Sequence, residues 1–409
     1  MIRDTWWFIT PLLLWPLFWE IWLYWRFYLW ASKIPTIMLE IKPPPDVLKT
    51  PKAMEVMLAG LHGSWGTLKT RDYWIWGKRQ PRFNLEFTGE NGRMHFYIRC
   101  QRKYRNFVEA HIYAEYPDAE IFEVEDYVNR VPPDLPNKEW ELWGTEMKFD
   151  NNQAYPIRTY EYFEDMEEER RIDPLSTFAE VISKLGEGEH VWVQIIIQPI
   201  LSSEWTPQAK EVLDKLLGRG TGPTSEKSFF EHIAEMTWKG IRIVTHGEVP
   251  VWDAAKAEEN QFGALRLSRY EQDIVAAVAN KMSKPGFNAM VRTLYIGRRD
   301  VYDGTVIGAV QGAFKQFTDQ NLNGLRLISD TKPSNHIILF REMRNQRRRI
   351  RQFRLYKGRM FNDFFGSEPY VMNTEELATL FHFPGRVIHA PSFPRVESKR
   401  GEPPAGLPF

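Results

Sequence analysis

The chain has 409 residues, of which 43% are hydrophobic and 26% are charged, a composition that indicates packed globular domains and excludes wholesale disorder. Its formal net charge is zero, so any attraction to nucleic acid or to an anionic surface must come from a local cluster of charge. The single cysteine, Cys100, excludes an internal disulfide and a cysteine-based metal site, and it is typical of a reducing compartment.

The aromatic residues are concentrated at the N terminus. Seven of the 16 tryptophans precede residue 31, namely Trp6, Trp7, Trp15, Trp19, Trp22, Trp25 and Trp30. Between the first and the last of them only Glu20 and Arg26 are charged, and the segment exceeds the about 20 residues with which a helix crosses a bilayer. We therefore expect residues 1–33 to form a transmembrane anchor in the lipid bilayer. An interfacial helix and a cleaved signal peptide are the alternatives.

The charges that flank this segment predict its orientation. Arg26, Lys33 and Lys42 follow it or lie near its end, whereas Arg3 precedes it and is balanced by Asp4. Positive charge is retained on the cytoplasmic side of a membrane. We therefore expect a single-pass protein of the cell membrane whose soluble body faces the cytoplasm.

Residues 34–135 alternate in the order strand, helix, strand, strand, helix, strand. Apolar periodicity, a cap at Thr50 and a turn at Gly89–Gly92 define these elements. The predicted elements are the strand Thr36–Ile41, a helix opened by Pro51, the strands Phe83–Thr88 and Arg93–Arg99, a helix from about Arg102 to Tyr116, and the strand Glu120–Val124. This order is that of the split ferredoxin-like arrangement, so we expect a first ferredoxin-like domain here.

A second set of similar elements is predicted for residues 136–335. They are the strand Arg158–Phe163, a helix opened by Pro174, the strand Val191–Ile197, the strand Phe287–Ile296, a helix from Val306 to Phe317, and the strand Leu325–Ser329. An insertion between the middle strands contains predicted helices at Thr206–Leu217, Ser228–Met236 and Leu267–Met282. The expected fold class is therefore α+β: an N-terminal transmembrane helix followed by two ferredoxin-like lobes, the second expanded by a helical insertion.

The remaining residues divide into a structured part and a tail. Residues 336–385 contain a predicted strand at Ile337–Phe340, a basic stretch, and a helix that begins at Asn373, with Glu376 completing a capping box. Residues 386–409 contain five prolines, so we predict an extended linker or a strap over a neighbouring surface.

The sequence contains no recognisable motif for catalysis or cofactor binding. The loop Gly60–Thr70 resembles a phosphate-binding loop, but Leu68 stands where that loop requires glycine. His95 and His111 fall on predicted elements, and the run Glu161–Glu169 is typical of a solvated surface. We therefore predict no catalytic residue, no metal and no cofactor, and a protein that is not an enzyme. A cavity with convergent carboxylates or histidines would favour an enzyme instead.

One charged feature stands above the background. The stretch Arg341–Arg359 has nine basic residues and one acidic residue. Its candidate contact residues are Arg344, Arg347, Arg348, Arg349, Arg351 and Arg354. Guanidinium groups bind phosphates through paired hydrogen bonds, so nucleic acid and anionic lipid are candidate partners, as is an acidic protein. A solvated helix face is the alternative without a partner.

Four segments, in order, resemble the membrane-proximal N-terminal region of bacterial type IV secretion coupling proteins, the conjugation ATPases related to the HerA and FtsK motors. They are Leu48–Gly63, Met94–Tyr127, Asp173–Pro199 and Glu375–Pro408. In that family a nucleotide-binding motor follows the proline-rich tail, whereas this chain stops at Phe409.

The resemblance implies a membrane-anchored, non-catalytic scaffold that docks a separately encoded secretion-type ATPase in a conjugation-like system. The alternative is a membrane-tethered nucleic-acid-binding protein that uses Arg341–Arg359. The sequence leaves a homo-oligomer open.

Overall fold

The computed structural model of the chain describes residues 2–44, 49–164, 172–217, 268–329, 331–333, 340–361 and 368–385, and of residues 2–13 the backbone alone. Within these residues the fold is α+β. The helices are α1 Ile2–Ser32, α2 Pro51–His62, α3 Thr70–Trp74, α4 Arg105–Glu115, α5 Ser176–Ser183, α6 Ser202–Leu216, α7 Arg269–Ser283, α8 Gly304–Lys315, α9 Arg341–Gly358 and α10 Thr374–Leu380. The strands are β1 Thr36–Lys42, β2 Phe83–Glu90, β3 Arg93–Gln101, β4 Glu120–Val124, β5 Trp140–Phe149, β6 Glu189–Ile200, β7 Gly286–Arg298, β8 Leu325–Leu327 and β9 Tyr370–Asn373.

All nine strands belong to one antiparallel sheet. Its order is β4-β1-β3-β2-β6-β7-β5-β8, and β9 pairs with β7. The first four strands and the next four have the same internal order, reversed about the pairing of β2 with β6. That pairing runs from Phe83 opposite Ile197 to Glu90 opposite His190, so the two halves share a continuous sheet.

Five helices cover one face of the sheet. Alternate strand residues point to this face and pack in one apolar core with α2, α4, α5, α8 and α10. Strand β6 is buried on both faces, as its continuous apolar sequence predicts. The predicted caps are present: Thr50 accepts a hydrogen bond from the backbone of Lys52, and Asn373 and Glu376 form the capping box of α10.

Helix α9 covers the opposite face. Phe353 and Tyr356 of α9 pack on Trp192 and Leu294 of the central strands, and Tyr127 completes this second apolar cluster. The sheet is therefore the middle layer between five helices on one side and the basic helix on the other. Helices α6 and α7 pack against each other beside the end of β6.

The first strand of the second half was predicted in the wrong place. Residues Arg158–Phe163 form a loop and a short 3-10 helix, and the strand is β5, Trp140–Phe149, which precedes them. Its alternation is interrupted because Glu146 is fully buried and pairs with Arg292. Gly144 occupies a position where a side chain would overlap Leu294.

The N-terminal segment is helical, but the expectation of a transmembrane anchor is not supported. Among the described residues no helix combines the length and the apolar character that a membrane crossing needs. The physical reason is the composition of α1: tryptophan and tyrosine carry polar N–H and O–H groups, and their rings favour the membrane interface over the hydrocarbon core.

Three predicted elements lie outside the described residues. They are the helix Ser228–Met236, the strand Ile337–Phe340 apart from its last residue, and the proline-rich tail 386–409. The other two helices of the insertion are observed as α6 and α7, within four residues of their predicted bounds.

Candidate functional site

Helix α1 presents a contiguous apolar surface. Its side chains are 41% to 58% exposed at Leu14, Trp15, Leu17, Phe18, Ile21, Tyr24, Trp25 and Tyr28. Trp19, Trp22 and Trp30 are partly buried, and Trp6 and Trp7 lie in the part of α1 whose side chains are not described. Single exposed apolar residues are ordinary, whereas a contiguous patch marks a surface for a membrane or another protein.

The segment that follows α2 holds α1 against the body. The rings of Trp19 and Trp74 lie 5.3 Å apart, and Arg26 Nε donates a hydrogen bond to the backbone oxygen of Ile75 at 2.6 Å. Gly77 has a φ of +68°, and a Cβ there would overlap the backbone of Arg26. The close approach of the two segments therefore depends on glycine at this position.

The apolar surface continues beyond α1 onto this segment. Ile75 is 51% exposed and Trp76 is 48% exposed, and the guanidinium carbon of Arg26 lies 5.9 Å from the ring centroid of Trp76. Sequence reasoning missed these residues, although the run Tyr73–Trp76 is a second local concentration of aromatic residues. We call α1 residues 14–28 together with Ile75 and Trp76 the aromatic surface.

The basic stretch forms α9, which packs on the sheet through Asn345, Gln352, Phe353 and Tyr356. Four of the predicted contact residues, Arg344, Arg347, Arg351 and Arg354, follow at spacings of three, four and three residues, away from that packed side. This α9 stripe is about 15 Å long, at 1.5 Å per residue. Arg351 is partly buried and the other three are exposed.

The remaining two predicted contact residues are used within the protein. Arg348 Nη1 donates to the backbone oxygens of Lys332 at 2.9 Å and of Ser329 at 3.3 Å. Arg349 Nη1 lies 3.2 Å from Glu141 Oε1. These two arginines attach α9 to the body, so they do not form a common contact surface with the α9 stripe.

A row of polar side chains crosses the sheet beneath α9. The strand register aligns, in spatial order, Glu40, Tyr97, Glu86, Gln194, Arg292 and Glu146. All but the first are fully buried. Within this polar row Gln194 Nε2 donates to Glu86 Oε1 at 2.9 Å, and Arg292 Nε donates to Glu146 Oε1 at 2.8 Å. These two pairs satisfy part of the row, as buried polar groups require, whereas Gln194 Oε1 and Tyr97 Oη have no hydrogen-bond partner among the described residues.

The C-terminal end of α9 is seated on the polar row. The last carbonyls of a helix lack partners within the helix. Here Gln194 Nε2 donates to the oxygen of Tyr356 at 3.2 Å, and Arg292 Nη1 donates to the oxygen of Leu355 at 3.1 Å. A cation at this end also interacts favourably with the helix dipole.

Arg359, immediately after α9, joins the polar row to a second acid. It forms ion pairs with Glu86 and with Asp126, the latter through Nη1 to Oδ2 at 2.6 Å. Tyr127 donates to Glu86 at 2.7 Å. Burial disfavours the charge of Arg359, but the charge and hydrogen bonds of Glu86 and the charges of Tyr127 and Asp126 together outweigh burial, so the pKa of Arg359 lies well above its ordinary value.

A cavity of about 280 Å³ bears on whether the protein has a catalytic site. Its lining includes Glu161, Lys281 and Glu375. Glu375 Oε2 accepts hydrogen bonds from Lys284 Nζ at 2.6 Å and from Asn280 Nδ2 at 3.2 Å. Burial, and then the charge of Glu375, raise the pKa of Glu161. Glu375 is poorly suited as a general base because Lys284 already pairs with its carboxylate. The contacts of Glu375 instead join α7 to α10.

The two histidines singled out in the sequence occupy ordinary positions. His95 Nδ1 lies 2.7 Å from Glu40 Oε1, and the ring of His111 packs edge-on against Phe107. In the part of the chain that the structure covers, no group of three or more His, Cys, Asp or Glu side chains is arranged to hold a metal ion.

Comparison with known proteins gives a family but no activity. No curated protein matches the chain. The model of the family described as "Domain of unknown function (DUF8128)" matches residues 31–394. This match includes all nine strands of the sheet and helices α2 to α10. The chain therefore belongs to the DUF8128 family, a family of unknown function.

Proposed function

We propose that the protein is a non-catalytic scaffold attached to the cytoplasmic face of the cell membrane through the aromatic surface. The observation that carries this proposal is the contiguous exposure of apolar side chains on α1, at 41% to 58% each, on a helix that contacts the body through Arg26 and Trp19. Tryptophan and tyrosine favour the level of the lipid headgroups, where one end of the ring is apolar and the other is hydrated.

Co-flotation with phospholipid vesicles tests the attachment. We expect the wild-type protein to float with vesicles, and we expect replacement of Trp15, Phe18 and Trp25 by serine to reduce binding by at least about a hundredfold, because each buried aromatic side chain contributes about 1.5–3 kcal/mol.

A matched variant controls for the general loss of aromatic residues. Tyr113, Phe122 and Tyr270 are 42% to 51% exposed on other elements, so their replacement by serine should leave binding unchanged. Equal binding by the two triple variants would contradict attachment through α1.

We further propose that the attached body docks a separately encoded secretion-type ATPase. The support is the resemblance of four ordered segments to the membrane-proximal region of type IV secretion coupling proteins, together with the α9 stripe as a surface for an acidic partner. On this proposal the chain holds the ATPase at the membrane, and the ATPase hydrolyses the nucleotide.

Affinity purification in mild detergent tests the docking. We expect a co-purifying protein that hydrolyses ATP, and we expect its recovery to fall when Arg344, Arg347 and Arg354 are replaced by glutamine. Replacement of the exposed Arg93, Arg269 and Arg326 is the matched control. Recovery of no ATPase from cells that express the native operon would refute this part of the proposal.

The α9 stripe also favours a second candidate function, a membrane-tethered nucleic-acid-binding protein. Three exposed arginines within about 15 Å can contact successive phosphates of one strand. Replacing Arg344, Arg347 and Arg354 by glutamine should then weaken duplex binding and reduce the slope of log affinity against log salt by about 2 to 3. A slope equal to that of the Arg93, Arg269 and Arg326 variant would exclude this function.

We also propose that each half of the sheet is a ferredoxin-like lobe. The support is the repeated strand order, with α2 and α4 as the helices of the first half and α5 and α8 as those of the second. The helical insertion lies between β6 and β7 and expands the second lobe.

A further inference from the structure

A cavity of about 380 Å³ lies where α1 meets the α9 side of the sheet. Its aromatic wall comes from the last turns of α1 and includes Tyr24, Phe27, Tyr28 and Trp30. Its polar wall comes from β2, β3 and the end of α9 and includes Arg82, Asn84, Arg99 and Arg359. The volume lies within the range of about 300–1,000 Å³ that is typical of small-ligand sites.

The polar wall carries excess positive charge. Three arginines line the cavity, and none of the described residues that line it is acidic. Glu86 and Asp126 neutralise Arg359 from outside the cavity. Arg99 forms no ion pair with another described residue, so a guanidinium charge remains at the polar wall without an acidic partner.

Arg99 is held in place without being neutralised. Its Nη2 donates a hydrogen bond to Thr36 Oγ1 at 2.8 Å. Burial, and then the charge of Arg359, lower the pKa of Arg99, although Glu86 and Asp126 oppose this shift. A desolvated cation is costly unless it meets a counter-charge, and an anion in the cavity would supply one.

Two neighbours of Arg99 complete the polar wall. Arg82 is fixed between two rings, with its guanidinium carbon 4.8 Å from the centroid of Phe27 and 4.3 Å from that of Phe361. Asn84 is only 4% exposed, and its Oδ1 has no hydrogen-bond partner among the described residues. An unpaired amide oxygen beside a cavity requires a hydrogen-bond donor, which a hydroxyl group of a bound headgroup supplies and a phosphate oxygen does not.

We propose that this cavity binds a phosphate group, with Arg99 and Arg82 as its principal ligands. The phosphate is that of an anionic phospholipid headgroup, whose glycerol lies against the aromatic wall and whose acyl chains follow the apolar side of α1. Planar guanidinium forks match the oxygens of a phosphate through two hydrogen bonds each. The lipid source rests on the proposed membrane attachment, whereas the phosphate site itself does not.

Vesicle flotation and thermal unfolding together test the site. The probes are phosphatidylcholine vesicles with and without phosphatidylglycerol, and soluble glycerol 3-phosphate. We expect wild-type protein to prefer the phosphatidylglycerol vesicles, and Arg99→Gln to reduce that preference by about tenfold, the effect of one lost charge-assisted hydrogen bond. Arg93→Gln, on the exposed end of the same strand, removes the same charge and should retain the preference.

Further variants separate binding from folding. Without a phosphate ligand, Arg99→Gln should unfold at a temperature no lower than the wild type, because the substitution removes a charge that has no acidic partner. Arg99→Lys keeps the charge but loses the fork, so its preference should lie between those of Arg99→Gln and wild type. Arg82→Gln should act in the same direction as Arg99→Gln.

The outcomes distinguish this site from the membrane attachment. If the variant of Trp15, Phe18 and Trp25 loses binding to both kinds of vesicle while Arg99→Gln loses only the preference, both proposals are supported. If no vesicle binds but glycerol 3-phosphate stabilises the wild type and not Arg99→Gln, the attachment fails and the site takes a soluble phosphate. If Arg99→Gln and Arg93→Gln behave alike with every probe, the site is refuted.

Discussion

Arg359 chelates the buried carboxylate of Glu86 across 273 positions of sequence, with Nε to Oε1 at 2.9 Å and Nη2 to Oε2 at 3.0 Å. Glu86 lies in the first half of the sheet and Arg359 follows α9, so this ion pair fastens the basic helix to the sheet. Arg359 itself adopts a φ of +49° where α9 ends, and its side chain pairs with both Glu86 and Asp126.

This ion pair gives the first prediction, a large loss of stability when one partner is removed. Arg359→Met should lower the free energy of unfolding by about 3–5 kcal/mol, because it leaves Glu86 buried without its counter-charge. Adding Glu86→Gln should restore part of the loss. Urea unfolding of both variants measures the coupling.

An exposed ion pair provides the contrast for this prediction. Arg102 and Glu123 lie 2.8 Å apart, but their side chains are 57% and 31% exposed. Arg102→Met should therefore cost less than about 1 kcal/mol. A cost equal to that of Arg359→Met would show that burial does not govern these pairs.

The second prediction concerns acid sensitivity at Asp173. Burial opposes the charge of this carboxylate, but His382, at 3.0 Å, and backbone hydrogen bonds from Gly385 and Leu175 outweigh burial and lower the pKa of Asp173. A lowered pKa stabilises the folded state above the ordinary pKa of about 4, and this stabilisation disappears as the pH falls through the folded value.

Asp173→Asn should consequently destabilise the protein by about 1–3 kcal/mol near neutral pH and by progressively less in acid. Thermal unfolding as a function of pH measures the difference from wild type. Asp300→Asn, at a carboxylate 63% exposed, should give no such dependence. A destabilisation by Asp173→Asn that grows as the pH falls would contradict the lowered pKa of Asp173.

The third prediction tests how α1 is held. Gly77→Ala places a side chain into the backbone of Arg26 at a positive φ, so it should release the contact between α1 and the segment around Ile75. Strain of this kind costs about 1–3 kcal/mol. Hydrogen exchange should become faster at the backbone amides of residues 72–78.

A second glycine in the same loop region serves as the control. A Cβ at Gly66 would meet no atom within 4 Å, and Gly66→Ala should leave exchange in both segments unchanged. Identical exchange in the two variants would show that α1 does not depend on the close approach at Gly77.

The fourth prediction concerns the single cysteine. Burial raises the pKa of Cys100 to about 12, and its side chain is only 1% exposed. The reactive thiolate is therefore scarce at neutral pH in the folded protein. Labelling with a thiol reagent should proceed only as fast as the protein opens, and it should become rapid in urea. Fast labelling of the native protein would contradict this burial.

Local sequence patterns were sufficient for the elements whose signals are local. The apolar run of β6, the caps at Thr50 and Asn373, and the turn between β2 and β3 depend on neighbours within a few residues. The aromatic excess at the N terminus marked α1 for the same reason. The prediction that α1 crosses a membrane is not supported, since no helix among the described residues is long and apolar enough to do so. Helices rich in tryptophan are suited to the membrane interface.

Elements whose residues serve distant partners could not be found in this way. Strand β5 contains Glu146 and Gly144, which contradict a strand pattern until Arg292 and Leu294 of β7 are brought beside them. The sequence also could not show which arginines of the basic stretch are exposed and which bind the body, since Arg349 pairs with Glu141, far away in sequence. The polar wall of the cavity combines residues of β2, β3 and the end of α9, so no single segment of the sequence predicts it.

The polar row has a consequence for modularity. Gln194 of the second half donates to Glu86 of the first, and α9 accepts from the second half while Arg359 binds the first. A fragment cut between β4 and β5 would lose the Gln194 amide and the Arg359 guanidinium that bind Glu86, and it would expose both the β2 edge that pairs with β6 and the apolar face that α9 covers. We therefore expect the two halves, despite their repeated plan, to be inseparable: neither is a transferable unit, and recombination between relatives at that boundary should yield insoluble chains.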